Sequence, residues 1–123
     1  HNLNNIKVIK GNIFEEILSD EKFNFVVSNP PYIEKDTIKN LQREVSYYEP
    51  KLALDGGNDG LDYYRRIAEL FKGIHEKNGV LVVEIGNEQK KSVEEIFENI
   101  GLFKTIETHK DLSGNDRVVV GMT

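Results

Sequence analysis

The residues best placed to do chemistry are Asn29, Pro30, Pro31 and Tyr32, directly after the apolar run Phe25 to Val27. An asparagine carbonyl and a proline backbone carbonyl are two neutral acceptors for the two N–H groups of a planar amide or amino nitrogen. Such a nitrogen gains positive charge as it attacks an electrophilic methyl group, and preoriented carbonyl dipoles stabilise that charge. Tyr32 offers a flat face that fixes the angle of attack. The alternative interpretation is a proline turn that closes a strand, with the tyrosine packed over it.

The run from Phe23 to Ser28 has the length and the β-branched content of a buried strand, and the two prolines end it. Asn29 precedes a proline, which pushes its backbone towards an extended conformation. We therefore expect Asn29 at the carboxyl end of a strand. In an open α/β sheet this is the edge at which ligands bind.

The rest of the chain alternates strand and helix patterns. We predict the strands Ile6 to Ile9, Phe23 to Ser28, Val80 to Ile85, Phe103 to Thr108 and Val118 to Val120, and the helices Ile13 to Leu18, Ile38 to Val45, Gly60 to Glu76 and Val93 to Ile100. This alternation predicts a mostly parallel sheet with helices on both faces, and the short last connection predicts an antiparallel last strand. The long connection from Ile33 to Asp59 is typical of a segment that covers a site, or else of a solvated insertion.

Composition limits the function classes. The 123 residues make one domain at most, and the absence of cysteine excludes disulfides, thiolate nucleophiles and cysteine-based zinc sites. The three histidines have no ligand-like spacing, so we expect no metal. The net charge of −5 disfavours a large nucleic-acid-binding surface. No apolar run approaches the roughly 20 residues that cross a bilayer, so we expect a cytoplasmic protein without a membrane partner.

Five segments carry a more specific pattern: Gly11 to Glu15, Val27 to Ile33, Glu49 to Leu61, Glu84 to Gly86 with Gln89, and Lys110 to Arg117. In this order they resemble the HemK/PrmC family. Its members are S-adenosylmethionine-dependent methyltransferases that act on the side-chain amide of glutamine in peptide chain release factors. The run from Glu49 to Leu61 is far more specific than N-P-P-Y, which is shared with adenine-N6 DNA and guanine-N2 RNA methyltransferases.

The resemblance implies the C-terminal portion of a Rossmann-like α/β methyltransferase sheet, with Asn29 as the catalytic residue. It implies that the substrate is bound by Asn29, Pro30, Pro31 and Tyr32, and that S-adenosylmethionine is bound by Asn12, Ile13 and Asn29. The family usually has aspartate at position 12. Asn12 still offers a side-chain oxygen to the adenine amino group, so the resemblance implies a weakened contact rather than a lost one.

Family members carry a small helical domain and two further strands ahead of the segment that this chain resembles. Those strands bring a glycine-rich loop and an acidic residue that hold the cofactor, and the present sequence has no G-x-G pattern. We therefore expect residues 1–123 to be a partial methyltransferase catalytic domain. The two strands usually lie between those equivalent to Ile6 to Ile9 and Phe23 to Ser28, so we expect a displaced first strand or self-association through the exposed edge.

Our principal hypothesis is a glutamine-N5 methyltransferase whose partner is a peptide chain release factor, with the isolated 123 residues inactive. One alternative is a nucleic-acid base methyltransferase, specific for adenine-N6 or guanine-N2, that uses the same N-P-P-Y corner. The acidic balance and the run from Glu49 to Leu61 argue against it. The other alternative is a non-catalytic fragment that self-associates.

Overall fold

The computed structural model describes residues 4–15, 20–31 and 60–123. Within these ranges the elements are β1 (Phe23–Ser28), α1 (Asp62–Ile74), β2 (His75–Glu84), α2 (Lys90–Ile100), β3 (Thr105–Lys110) and β4 (Asp116–Met122). The predicted helix Ile38 to Val45 and the whole of the long connection from Ile33 to Asp59 lie outside the described residues.

The strands form one sheet in the order β1-β2-β4-β3. β1 and β2 are parallel, and β4 is antiparallel to both of its neighbours, β2 and β3. Hence β1, β2 and β3 run in one direction and only the last strand opposes them. The predicted α/β class, mostly parallel with an antiparallel last strand, is confirmed.

Both helices pack on the same face of the sheet. One core joins the apolar faces of α1 and α2 to the inward residues of β2 and β4: Tyr64, Ile67, Phe71, Leu81, Val83, Ile85, Val93, Phe97 and Val119. The prediction of helices on both faces is therefore wrong for the described residues. The chain steps from β1 to β2 and then from β2 to β3 in the same direction across the sheet, so right-handed connections place both helices on one side.

The predicted first strand does not form: residues 6–10 adopt neither helix nor strand. The side chains of Ile6, Val8 and Ile9 are 63%, 91% and 74% exposed. A strand exists only as part of a hydrogen-bonded ladder, and within the described ranges β1 pairs with β2 alone. Residues 6–10 are thus not a displaced strand but a segment without regular structure, and self-association through the exposed edge stays a prediction. Of the predicted helix Ile13 to Leu18, residues 13–14 form a turn, and residues 16–19 lie outside the description.

The two helix ends differ in how far they follow the sequence pattern. α1 ends at Ile74, before the predicted end at Glu76, and β2 begins at the next residue, so Asn78 and Gly79 lie within a strand. They lie where the register of β2 against β1 shifts, and Asn78 has a φ of 62°. α2 does end as predicted, with Gly101 at a φ of 73° and its N–H donated to the carbonyl of Glu98.

Candidate active site

A cleft of about 330 Å³ opens at the carboxyl end of β1. Its lining residues are Gly11, Asn12, Ile13, Ser28, Asn29, Pro30, Pro31 and Tyr63. The fold thus brings together two segments that are distant in sequence and that the sequence singled out separately. Asn12, Ile13, Asn29, Pro30 and Pro31 all border this cleft, whereas Tyr32 lies outside the described residues.

The acceptor corner, residues 28–31, continues directly from the parallel ladder. Ser28 is the last residue of β1 in register, opposite Val83 of β2. Pro30 is buried and Asn29 beside it is exposed. The buried proline anchors the corner, and its ring leaves no N–H there to compete for an acceptor. The corner therefore presents an accessible amide on a fixed backbone.

The cofactor-side turn, residues 11–15, is organised by Asn12. Its Oδ1 accepts the N–H of Phe14 at 2.9 Å, and its backbone carbonyl accepts the N–H of Glu15 at 3.1 Å. This is the local turn that asparagine side chains favour. An amide oxygen has two lone pairs, so Oδ1 retains the capacity to accept a ligand N–H while it holds the turn. Ile13 packs against the hydrophobic core and so holds the turn to it.

The start of α1 supplies two residues that the sequence pattern did not single out. Tyr63 lines the cleft, and its ring meets that of Phe14 edge-on, with centroids 4.7 Å apart and planes at 72°. Arg66 donates from Nε to the carbonyl of Ile13 and from Nη2 to the carbonyl of Glu15, the latter at 3.1 Å. The available signal was Tyr63 itself, an aromatic residue that lies off the apolar stripe of its helix.

A buried tyrosine fixes the start of α1 to the carboxyl end of β2. Tyr64 is fully buried, and its hydroxyl donates to the carbonyl of Glu84 at 2.7 Å. Gln89 accepts the N–H of Gly86 at 2.8 Å and donates to the carbonyl of Gly60 at 3.4 Å. Gln89 of the family-like pattern therefore joins the loop after β2 to the residues that precede α1.

The loop between β3 and β4 lies at the same end of the sheet as the carboxyl end of β1. It is held by hydrogen bonds to the carboxylate of Asp111. Asp111 accepts the N–H groups of Ser113 at 2.9 Å and Asn115 at 3.0 Å through Oδ1. Its Oδ2 accepts two bonds from Arg117, each at 3.2 Å. The backbone bond from Asn115, helped by Arg117, holds the pKa of Asp111 below its ordinary value. Arg117 also donates to the carbonyl of Ile85 at 3.4 Å, which ties the loop to the end of β2.

The described ranges contain neither a candidate metal site nor a candidate membrane-spanning helix. Residues 4–15, 20–31 and 60–123 contain no cluster of three or more histidine, aspartate or glutamate side chains arranged to hold a metal ion. Among the helices that the structure describes, none has the length and apolar character to cross a membrane.

Comparisons with known proteins find methyltransferases in sequence and in structure. The family model described as Eco57I restriction-modification methylase matches residues 2–88. The release factor glutamine methyltransferase of Clostridium acetobutylicum is 46% identical over 118 residues, which are 95% of this chain and 41% of that protein. The protein of the same name from Caulobacter vibrioides is 46% identical over 105 residues, 85% of this chain and 36% of that protein.

A solved structure extends the agreement to three dimensions. It is titled protein-(glutamine-N5) methyltransferase (release factor-specific), from Alicyclobacillus acidocaldarius, with a TM-score of 0.52 and 27% sequence identity. The match covers 82% of this chain and 48% of that one. The chain thus spans less than half of the length of each of these proteins. The predicted resemblance to release factor glutamine methyltransferases is confirmed.

Proposed function

Because the chain belongs to the family described as Eco57I restriction-modification methylase, we propose that it forms part of a methyltransferase acting on the side-chain amide of glutamine in a peptide chain release factor. The observation that carries the proposal is the cleft that joins Asn29 and Pro30 to Asn12 and Ile13. The choice of a glutamine amide is supported by the names of the relatives that are 46% identical to the chain.

The cofactor-side turn has the chemistry that an adenine ring requires. Asn12 offers an amide oxygen of fixed direction for an exocyclic amino group, and Ile13 and Tyr63 offer apolar surface for the flat ring. We propose Asn12, Ile13 and Asn29 as the residues of this chain that bind S-adenosylmethionine. When bound, this group supplies an electrophilic methyl carbon.

Asn29 and Pro30 then act on the acceptor. Their carbonyl oxygens accept the two N–H groups of the glutamine amide, which places its nitrogen lone pair in line with the methyl carbon. The nitrogen would gain positive charge as it takes the methyl group and the carbon–sulfur bond of the sulfonium breaks, and the two fixed carbonyl dipoles would stabilise that charge. The amide would give up its proton to water after the transfer, so no strong base is needed beforehand. Pro31 and Tyr32 complete the proposed substrate-binding corner.

We propose that residues 1–123 are the C-terminal part of the catalytic domain and are inactive alone. In support, the relatives and the solved structure are each more than twice as long as the part that matches. The face of β1 opposite the core supports the same view, because Phe25 and Val27 alternate with the inward-facing Val26 and are 59% and 64% exposed. The outer edge of β1 has no partner strand among the described residues. In a complete enzyme a neighbouring strand covers this edge, and in the isolated chain a second copy pairs with it.

A chimeric enzyme tests the proposal in a complete domain. In it, this chain replaces the matching 118-residue segment of the Clostridium acetobutylicum protein, and methyl incorporation into a release factor is measured. We expect Asn29→Ala to lower turnover by about 10², comparable to the loss of one preorganised dipole in other active sites. Asn24→Ala is the matched control, because Asn24 is an exposed asparagine of β1. Near-normal methylation by the Asn29→Ala enzyme contradicts the role of Asn29.

A second candidate function follows from the description of the matching family model, which names a restriction-modification methylase. The same corner can hold the amino group of adenine or guanine, since both are planar nitrogens with two N–H donors. The net charge of −5 offers little attraction for phosphates. Methyl transfer by the chimeric enzyme to DNA or RNA, and not to the release factor, would favour this candidate over the first.

A further inference from the structure

We propose that Arg66 is a positioning residue for the cofactor-side turn and sets the separation between Asn12 and Asn29 across the cleft. The inference rests on the proposed function and deepens it, because it assigns control of cofactor binding to a residue outside the cleft lining. Arg66 lies on α1, more than fifty residues along the chain from the turn that it holds.

The contacts of Arg66 are those of a clamp. Its guanidinium donates to the carbonyls of Ile13 and Glu15, on either side of Phe14. A planar guanidinium that binds two acceptors fixes orientation as well as distance, which the single ammonium of lysine does not. The ring of Tyr63, one turn earlier on α1, meets that of Phe14 between the two clamped carbonyls. Helix α1 therefore holds three consecutive residues of the turn.

The turn depends on this clamp because no strand ladder holds it. Residues 6–10, which lead into the turn, belong to neither a helix nor a strand. The acceptor corner, by contrast, continues from β1, which is paired with β2 up to Ser28. The two sides of the cleft thus differ in how the fold fixes them.

The clamp connects the turn to the same strand that fixes the acceptor corner. Tyr64, beside Tyr63 on α1, donates to the carbonyl of Glu84 at the end of β2. A series of contacts therefore links the turn to β2 through Arg66, α1 and Tyr64. The acceptor corner is linked to the same strand through β1. Loss of the clamp loosens the turn, which Ile13 and the Phe14–Tyr63 contact still hold, while both the helix and the acceptor corner stay in place.

The test separates cofactor binding from turnover in the chimeric enzyme. We expect Arg66→Ala to raise KM for S-adenosylmethionine about tenfold and to change kcat less than about twofold, because the turn binds the cofactor and the acceptor corner is intact. Arg66→Lys restores part of the loss, since one of the two bonds can re-form. The control is Arg65→Ala, which removes the same charge from α1; Arg65 pairs with Asp62 at 3.2 Å and is half exposed.

A second measurement uses the 123-residue chain without any ligand. Amide hydrogen exchange at Phe14 and Glu15, whose N–H groups bond to Asn12, should accelerate about tenfold in Arg66→Ala and stay unchanged in Arg65→Ala. Equal exchange in the two variants overturns the inference, and so does an equal KM. An unmodified chimeric enzyme that methylates no release factor overturns the proposed function instead, and the exchange data then still decide whether Arg66 holds the turn.

Discussion

Residues 60–123 and the described residues 4–15 and 20–31 use their apolar side chains in opposite ways. Among the described residues, every buried apolar residue of the core lies between Tyr64 and Val119. Within the same ranges, the large apolar side chains that are exposed lie between Ile6 and Val27, except Leu112. The later region is a packed unit, whereas the earlier region carries the proposed chemistry and has few buried residues of its own. Stability and chemistry thus reside in different parts of the chain.

Long-range contacts of several kinds hold the described residues of the earlier region to the later one. The principal one is the parallel ladder between β1 and β2. Lys22 adds a bond to the carbonyl of Gly73 at the end of α1, and Arg66 adds the clamp on the cofactor-side turn. The positions of the earlier region's residues are therefore set by their contacts with β2 and α1. This explains why residues of α1, rather than residues near the N-P-P-Y corner, position the turn.

The largest expected effect is the loss of a core ring in the packed unit. Phe71 is fully buried and stacks on Phe103 with ring centroids 5.6 Å apart. Phe71→Ala should lower the free energy of unfolding by about 3–5 kcal/mol, from lost burial and from the cavity left behind. The same change at Phe25, which is 59% exposed, should cost less than about 0.5 kcal/mol. Urea unfolding followed by circular dichroism measures both.

If Phe71→Ala is too unstable to fold, Phe71→Leu provides the comparison with an expected cost of roughly 1 kcal/mol. Similar costs at Phe71 and Phe25 would show that residues 20–31 share the core after all. That result would remove the distinction between the two regions.

Periodicity predicted the packed unit well because its strands and helices are specified locally. The run Val80 to Ile85 is predicted as a strand, and Val80 to Glu84 form the second half of β2, which lies between β1 and β4. The predicted helix Gly60 to Glu76 contains α1, whose Tyr64, Ala68 and Phe71 are buried. Here the spacing of apolar residues matches the face that the fold buries, so pattern and structure agree.

The same reasoning was wrong for Ile6 to Ile9, and the reason is physical. Its β-branched composition suits a strand, but a strand also needs a neighbour, and no pattern within the segment supplies one. Arg66 was missed for a related reason. A charged residue on the polar side of a helix looks like a solvated surface residue until a turn from a distant part of the chain is placed against it.

The second prediction compares the two edges of the sheet. The edge strand β1 has no charged residue, whereas β3 carries Glu107 and Lys110. Charges on an edge strand oppose pairing with another chain. We expect the isolated chain to self-associate, and Val27→Lys to weaken that association at least about tenfold, or ~1.4 kcal/mol. Thr105→Lys, on the exposed edge strand β3, should have no effect.

Sedimentation equilibrium over a range of protein concentrations measures this association. A chain that stays monomeric at millimolar concentration contradicts the proposed pairing. Equal weakening by Val27→Lys and Thr105→Lys would instead assign the effect to net charge rather than to the β1 edge.

The smallest expected effect concerns the loop between β3 and β4, which the negatively charged carboxylate of Asp111 holds. The cofactor-side turn is instead held by the neutral side chain of Asn12 and by Arg66, which donates to backbone carbonyls. Hydrogen bonds from Asn115 and Arg117 keep the pKa of Asp111 below 3.8 in the folded chain. On acidification the unfolded chain therefore binds this proton first. The stability that Asp111 contributes is complete above its unfolded pKa and is lost as pH falls through the lower folded value.

Asp111→Asn removes this contribution and tests its sign. The difference in unfolding free energy between the wild type and the variant should be constant from about pH 7 to 5 and should narrow below the ordinary pKa of 3.8. Urea titrations of both proteins at a series of pH values measure it. A difference that is unchanged at low pH would mean that the loop is held by shape alone.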